Sequence, residues 1–209
     1  MSDSMKFKLL ALTVLALGSS LGSIQVMHPK DLKKKLKNDG FIKASLGNFG
    51  HIMYGSSILG RVYYPSNNTD GCRPYRNEDF PPSFFADEES DLNPIIMADR
   101  GNCSFVSKVR NIERQGVKLA IINDNLEEDS ENLIMSDDGT GHSINIPSFI
   151  IRKKESDLIK ASLLKSADQK VYIKAELEVA HPDNRVEYEF WYSTILDIEF
   201  DKLVDMALF

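Results

Sequence analysis

The amino-acid sequence predicts one α+β domain that follows an N-terminal secretory leader. Two observations support this fold class: a strand–helix–strand pattern at residues 94–124 and a second one at residues 144–180. A third is the composition, since 42% hydrophobic and 27% charged residues in a chain of 209 are ordinary for a globular protein. We expect a single core of moderate size.

Residues 1–22 have the pattern of a secretory signal peptide. Lys6 and Lys8 precede an apolar run at 9–17, and small residues follow it. The run is shorter than the roughly 20 residues that cross a bilayer, and a buried N-terminal helix is the other interpretation of it. No later segment is long or apolar enough for a membrane span. We therefore expect the product in the secretory lumen (Golgi, endosome or vacuole) or outside the cell.

The first elements after the leader are two strands interrupted by glycine, "FIKASLGNFG" at 41–50 and "SSILGRVYYP" at 56–65. The basic run "KDLKKKLKND" at 30–39 is short and interrupted by leucines, so we interpret it as a solvated surface. The net charge of −6 argues against a nucleic-acid partner, because phosphate recognition usually needs a basic face.

The central unit begins with a buried apolar strand, "PIIMAD" at 94–99. A helix is predicted at 104–116, where three apolar residues recur at helical spacing and a glycine ends the pattern. These apolar residues are Phe105, Val109 and Ile112. A second apolar strand follows at 117–124. Because a helical crossover joins the two strands, we expect them to be parallel.

The last unit repeats this order, with a strand at 144–152, a helix at 154–166 and an alternating, half-buried strand at 170–180. Four apolar residues lie on or near one face of the predicted helix: Leu158, Ile159, Leu163 and Leu164. Two long polar loops, 65–91 and 124–143, connect the elements. Loops of this length on a compact scaffold are either functional or mobile.

Cys72 and Cys103 are expected to form a disulfide, because two cysteines in an oxidising compartment usually pair. Cys72 lies in a polar loop and Cys103 at the junction between the strand 94–99 and its helix, so the bond would pin the loop over the junction. Two N-glycosylation motifs begin at Asn67 and Asn102. We expect a glycan on Asn67, and we expect Asn102 to stay bare because it adjoins the bond.

Motifs for catalysis, metal binding and cofactor binding are missing from the sequence. Beyond the predicted signal peptide, whose residues 18–22 match G-x-S-x-G by composition alone, there is no G-x-S-x-G, no H-E-x-x-H, no P-loop and no dinucleotide fingerprint. The four histidines are scattered, and His142, near two aspartates, is interpreted as a surface residue because no nucleophile accompanies it. Two cysteines without neighbouring histidines make a poor zinc site. We expect no catalytic residue, no metal and no cofactor.

Arg100 is the most informative residue of the junction "DRGNC". It falls at the carboxyl end of a predicted parallel strand, where open α/β layers tend to bind ligands. Its planar charged fork suits a carboxylate, and the first N–H groups of the next helix also favour an anion. An ion pair with Asp99 or another local acid, which would only hold the turn, explains the same residues equally well.

Several tracts resemble a known family. "DRGNCSFVSKVRNIERQGVKLAIINDN" at 99–125 resembles the core signature of the protease-associated (PA) domain, and "INIPSFII" at 144–151 resembles its second motif. Other tracts are similar to the luminal head of plant-type vacuolar sorting receptors. They are "LGNFGHIMYGSSILGRVYYP" at 46–65, the Gly-Cys pair at 71–72 and "AHPDNRVEYEFWYS" at 180–193. The PA signature alone would not separate a receptor from a protease, so the tract at 180–193 is the specific part.

The resemblance implies a PA-domain fold, which is a β-sandwich or open barrel with flanking helices. It covers residues 26–193, which would form the PA domain. Residues 1–22 would then be the signal peptide, and residues 194–209 the start of a following region that is truncated in this chain.

The resemblance also implies a non-catalytic module that binds soluble cargo proteins through extended peptide sorting signals. The cargo-binding loop would comprise Arg100, Gly101, Asn102, Cys103 and Ser104. Arg100 would be the principal contact, and Asp137 would match an acidic position of a second loop. A full-length relative would be membrane-anchored. The alternative is a substrate-recruiting or regulatory PA domain of a protease or of a membrane ubiquitin ligase, whose catalytic part is missing here.

Overall fold

The computed structural model describes residues 21–177 apart from 37, 83, 85–91, 127–133 and 166–169. Within these residues seven strands form one barrel. The strands are β1 Leu21–His28, β2 Phe41–Leu46, β3 Ser57–Tyr63, β4 Asn93–Asp99, β5 Leu119–Asn123, β6 Ser148–Ile151 and β7 Tyr172–Glu176. Three α-helices have described bounds: α1 Lys30–Lys35, α2 Phe105–Glu113 and α3 Lys153–Leu163.

The barrel closes in the strand order β1-β2-β6-β5-β4-β3-β7. The four strands β3 to β6 are mutually parallel where they pair, and the other pairs are antiparallel. Helix α2 crosses from β4 to β5, and the parallel pairing that this crossover predicted is confirmed. Asp99 lies opposite Asn123 in this pair, so the carboxyl ends of β4 and β5 meet at one end of the barrel.

The barrel interior is a single apolar cluster to which all seven strands contribute. Ile95 and Met97 of β4 belong to this cluster, whereas Ile96 and Ala98 belong to a second one outside the barrel. Helix α2 covers the second cluster with apolar residues that include Val109. Both faces of β4 are therefore buried, which explains why its sequence is a continuous apolar run and not an alternating one.

The predicted α+β class is confirmed, and the sheet is closed where the resemblance allowed a sandwich or an open barrel. Helix α3 also follows its prediction in part. Ile159 is buried in the barrel cluster, and Leu158 and Leu163 pack against it, but Leu164 is 67% exposed. Leu164 is the C-cap residue, so it lies where the chain leaves the helix.

Strand β1 is an element that the sequence did not predict. It begins at Leu21, so its first two residues overlap the predicted signal peptide, and it pairs with both β2 and β7. The basic run after it forms the short helix α1. Leu32 and Leu36 are buried in the barrel cluster while Lys34 and Lys35 are exposed, so the solvated surface that was predicted does not include the two leucines.

Three parts of the sequence prediction lie outside the described residues. They are the apolar run of the leader, at 9–17, the tract 180–193 and the following region at 194–209. None of the described helices is long and apolar enough to cross a membrane.

Candidate functional site

The junction between β4 and α2 is a tight turn whose shape depends on backbone conformations that few residues adopt. Gly101 has φ +117° and Asn102 has φ +67°, both in the left-handed region. The backbone N–H of Arg100 donates to the carbonyl of Asn123 at 2.9 Å, so the turn starts from the end of the β4–β5 ladder. The predicted residues 100–104 are thus brought together in one turn.

Strand alternation separates the charged residues at this end of the barrel into two groups. Asp99 follows the side of β4 that faces the barrel interior, where its carboxylate accepts hydrogen bonds from three side chains. The donors are Tyr64 at 2.6 Å, Asn123 at 2.9 Å and Lys160 at 3.0 Å. Burial, and then the hydrogen bond to Asp99, raises the pKa of Tyr64 well above its usual range. The hydrogen bonds of the Asp99 carboxylate therefore lie on the interior side of the barrel, away from Arg100.

Arg100 forms an ion pair with Asp124, the residue that follows β5. Its Nη1 donates to Oδ1 of Asp124 at 2.8 Å, and the side chain of Asp124 is completely buried. The sequence left two interpretations of Arg100 open, a ligand-binding residue and a partner of a local acid. The structure contains such an acid. It comes from the neighbouring strand end and is not Asp99, because β4–β5 pairing places the two strand ends side by side.

The ion pair engages one part of the guanidinium. The side chain of Arg100 is 27% exposed, and from the described residues no hydrogen bond reaches its Nη2 or Nε. The aromatic ring of Phe105 lies 6.0 Å from the guanidinium carbon. Arg100 is thus fixed from one side and retains hydrogen-bond donors for a further partner.

The disulfide between Cys72 and Cys103 is present, with the Cα atoms 5.7 Å apart. It holds the loop that contains Cys72 over the junction, as the sequence predicted. Asp70 strengthens this attachment, since its carboxylate accepts from the side chain of Asn102 at 2.8 Å and from the backbone N–H of Cys72 at 3.0 Å. These hydrogen bonds, the one from Asn102 first, lower the pKa of Asp70.

Lys108 of helix α2 is a buried cation beneath the junction, which the sequence analysis missed. Its side chain is fully buried, and its Nζ donates to the carbonyls of Asp70 and Gly101, both at 2.6 Å. Nζ also lies 3.2 Å from Sγ of Cys72. Burial lowers the pKa of Lys108. A signal was available, because Lys108 precedes the core residue Ile112 by one helical turn and so shares its buried face.

Ser104 is the N-cap of α2 and connects the junction to a second loop. Its Oγ accepts from the backbone N–H of Ser107 at 3.1 Å and donates to Oδ2 of Asp138 at 2.5 Å. This hydrogen bond, followed by those from Thr140, lowers the pKa of Asp138. Asp137, the acidic residue that the resemblance assigned to the site, instead accepts hydrogen bonds from N–H groups within its own loop. Asp138, its neighbour, therefore makes the contact with the junction.

The asparagines that begin the two glycosylation motifs lie at the surface. Asn67 is exposed on a turn in which the N–H of Asn68 donates to the carbonyl of Pro65 at 3.3 Å. Asn102 is also exposed, but its side-chain amide is held by Asp70. Within the described ranges, no group of three or more His, Cys, Asp or Glu side chains could hold a metal ion.

The junction, the disulfide and the strands around them lie inside a recognised family match. The PA domain family matches residues 58–159, from β3 to the interior of α3. The chain contains a PA domain. The PA-domain fold expected from the resemblance is thereby confirmed, with Arg100, Cys103 and Ser104 at its β4–α2 junction.

Relatives of this PA domain include vacuolar-sorting receptors. The chain is 32% identical over 199 residues to vacuolar-sorting receptor 7 of Arabidopsis thaliana, a match that covers 90% of this chain and 30% of the receptor. It is 32% identical over 174 residues to vacuolar-sorting receptor 1 of Pisum sativum, covering 81% of this chain and 26% of that receptor. The chain thus spans less than a third of the length of these relatives.

A solved structure has the same fold. BSAP, a zinc aminopeptidase from Bacillus subtilis, superposes with a TM-score of 0.51 at 15% sequence identity, covering 84% of this chain and 38% of the enzyme. At this identity the likeness concerns the fold of the PA domain alone.

Proposed function

We propose that this PA domain is a non-catalytic module of a vacuolar-sorting-receptor-like protein that binds extended peptide sorting signals of soluble cargo. Its place of action would be the lumen of the secretory pathway. The observation that carries the proposal is the guanidinium of Arg100 at the β4–α2 junction, which is held at Nη1 by Asp124 and is partly exposed. It lies within a chain that is similar to receptors over most of its length.

The geometry of Arg100 suits the capture of an oxygen ligand. The ion pair with Asp124 already restricts the side chain, so less conformational entropy is lost when a ligand binds. The remaining donors can meet a carboxylate or a backbone carbonyl of an extended peptide, and such charge-assisted hydrogen bonds are the stronger kind. The cargo-binding loop would be residues 100–104, and Asp138 would hold it in place through Ser104.

The experiment is calorimetric titration of the secreted protein with a synthetic vacuolar-sorting peptide. Arg100→Met removes the guanidinium and should lower peptide affinity roughly tenfold to a hundredfold, which corresponds to about 1.4–2.8 kcal/mol. Arg100→Lys should recover only part of this, because an ammonium lacks the planar fork. Lys174→Met is the matched control, since Lys174 is also a half-exposed basic residue in an ion pair but lies on β7. It should leave affinity unchanged.

A second variant separates binding from stability. Arg100→Met alone removes the guanidinium that lies against the buried carboxylate of Asp124, so this variant should also melt at a lower temperature. The double variant Arg100→Met, Asp124→Asn replaces the ion pair with neutral side chains and should recover stability without recovering binding. If the double variant binds the peptide as tightly as the unchanged protein, Arg100 only holds the turn and the proposal is wrong.

A further inference from the structure

The disulfide of the junction has different surroundings at its two sulfur atoms. The buried ammonium of Lys108 lies 3.2 Å from Sγ of Cys72, and across the described chain it makes no comparable contact with the sulfur of Cys103. The other two donors of the ammonium are taken by the carbonyls of Asp70 and Gly101. This arrangement places one full positive charge, out of contact with water, against one sulfur only.

We propose that Cys72–Cys103 is a thiol–disulfide exchange site for a dithiol reductant, in which Lys108 makes Cys72 the leaving group. In the disulfide, the sulfur of Cys72 is neutral and accepts only a weak hydrogen bond from the ammonium. After reduction a thiolate at Cys72 would form a buried ion pair with it, and a neighbouring lysine is a known cause of a lowered thiol pKa. The reduced form is thereby stabilised relative to that of an ordinary structural disulfide.

The reaction proceeds in two displacements. A thiolate of the reductant attacks Sγ of Cys103, a bond forms between these sulfurs, and the S–S bond breaks with its electron pair passing to Cys72. The second thiol of the reductant, once deprotonated, attacks the reductant's first sulfur, which is bonded to Cys103 in the mixed disulfide. This displacement releases Cys103 as a thiolate that takes up a proton. The protein disulfide gains two electrons, and the dithiol is oxidised to a disulfide.

The surroundings permit this exchange. Cys72 and Cys103 are both half-buried, and Asn102, which precedes Cys103, is exposed, so the bond lies beside an exposed part of the junction. Two carboxylates oppose a thiolate here, those of Asp70 and Asp99, which also act on Lys108. Asp70 is already hydrogen-bonded by Asn102 and by the N–H of Cys72. The ammonium is the charged group in direct contact with the sulfur, at 3.2 Å, and Coulomb attraction is strongest at such short range.

Reduction would leave the loop attached. Lys108 continues to hold the carbonyls of Asp70 and Gly101, and the side chain of Asn111 donates to the carbonyl of Gly71 at 2.9 Å in a buried position. The bond can therefore open and close on a folded domain. This inference does not depend on the proposed peptide binding.

The first test compares two single-cysteine proteins that both retain Lys108. In Cys103→Ser the thiol of Cys72 faces the ammonium, and in Cys72→Ser the thiol of Cys103 does not. The thiolate absorbance near 240 nm, followed against pH, gives each thiol pKa. We expect the pKa of Cys72 to lie at least one unit below that of Cys103. Equal values, or a higher value for Cys72, would overturn the proposal.

The second test removes the charge. Lys108→Met, added to Cys103→Ser, should raise the thiol pKa of Cys72, whereas added to Cys72→Ser it should leave that of Cys103 unchanged. In the two-cysteine protein, equilibration with reduced and oxidised dithiothreitol should show Lys108→Met to be about tenfold harder to reduce, with Lys174→Met as the control. If Lys108→Met is reduced as easily as the unchanged protein, the ammonium has no role. Should Lys108→Met not fold, the first test decides.

Discussion

Asn67 and Asn102 head the same three-residue glycosylation motif but have different local surroundings. The side chain of Asn67 stands on an exposed turn, and its only described hydrogen bond is a long one, 3.4 Å, to the carbonyl of Glu78. Asn102 lies beside the disulfide in a left-handed conformation, with its amide donated to Asp70 at 2.8 Å. The accessible amide is the one that a glycosyl transfer reaction requires.

We expect the protein secreted from a eukaryotic host to carry a glycan at Asn67 and none at Asn102. Peptide mass spectrometry before and after enzymatic deglycosylation measures the occupancy of each site. Asn67→Gln should abolish the mass difference, whereas Asn102→Gln should leave it unchanged. A glycan found at Asn102 would contradict both this expectation and the peptide site proposed at the junction.

The N-cap residue of helix α2, Ser104, attaches the helix to a second loop of the molecule. Ser104 caps the helix through the N–H of Ser107 and holds the second loop through Asp138. Ser104→Ala removes both contacts, and loss of an N-cap hydroxyl typically costs about 1 kcal/mol of unfolding free energy. The melting temperature should fall by roughly 2–4 °C.

The control for this prediction is Ser66→Ala, a change at an exposed turn residue that should alter unfolding free energy by less than about 0.5 kcal/mol. Urea unfolding of the three proteins measures the difference. If Ser104→Ala and Ser66→Ala are equally stable, the cap and its link to Asp138 contribute nothing to the fold.

The sequence predicted the elements around the junction because their signals are local. The apolar run of β4, the helical spacing of α2 and the pairing of two lone cysteines each depend on nearby residues or on composition. The partners of the site residues could not be predicted in this way. Asp124 meets Arg100 only because β4 and β5 lie side by side, and Asp138 reaches Ser104 from a loop 34 residues further along the chain.

Two further features were hidden by a competing pattern. The residues that begin β1 also fit the end of a signal peptide, so no strand was predicted there. Lys108 was passed over because lysines are almost never fully buried unless they are paired, and its carbonyl partners belong to loops distant in sequence.

The whole molecule should keep its stability in mildly acidic solution. Folding lowers the pKa of Asp70, Asp79, Asp138 and Glu176, chiefly through hydrogen bonds from Asn102, Arg73, Ser104 and Lys174 respectively. The ordinary values are 3.8 for Asp and 4.5 for Glu. A carboxyl group with a lowered folded-state pKa stabilises the fold above its ordinary pKa and loses this contribution as the pH falls through the lowered one.

We therefore expect the unfolding free energy to be nearly constant between pH 7 and pH 5 as far as these four groups determine it, and to fall below about pH 4. Urea unfolding at successive pH values measures this. Asp79→Asn should reduce the acid dependence, because Asp79 is buried and receives two hydrogen bonds from Arg73, at 2.8 and 2.7 Å. A steep loss of stability between pH 7 and pH 5 would contradict the expectation.

The closure of the barrel limits how a peptide can be recognised. Each of the seven described strands is hydrogen-bonded to a neighbour on both sides, so in this part of the chain the sheet has no edge strand. Among the described residues an extended peptide therefore finds no free strand edge for strand addition, the mode in which main-chain hydrogen bonds supply affinity for almost any sequence. If the junction binds a peptide as proposed, a few side chains and loop amides at one end of the barrel would supply the recognition, and such a site would discriminate between peptides by individual residues.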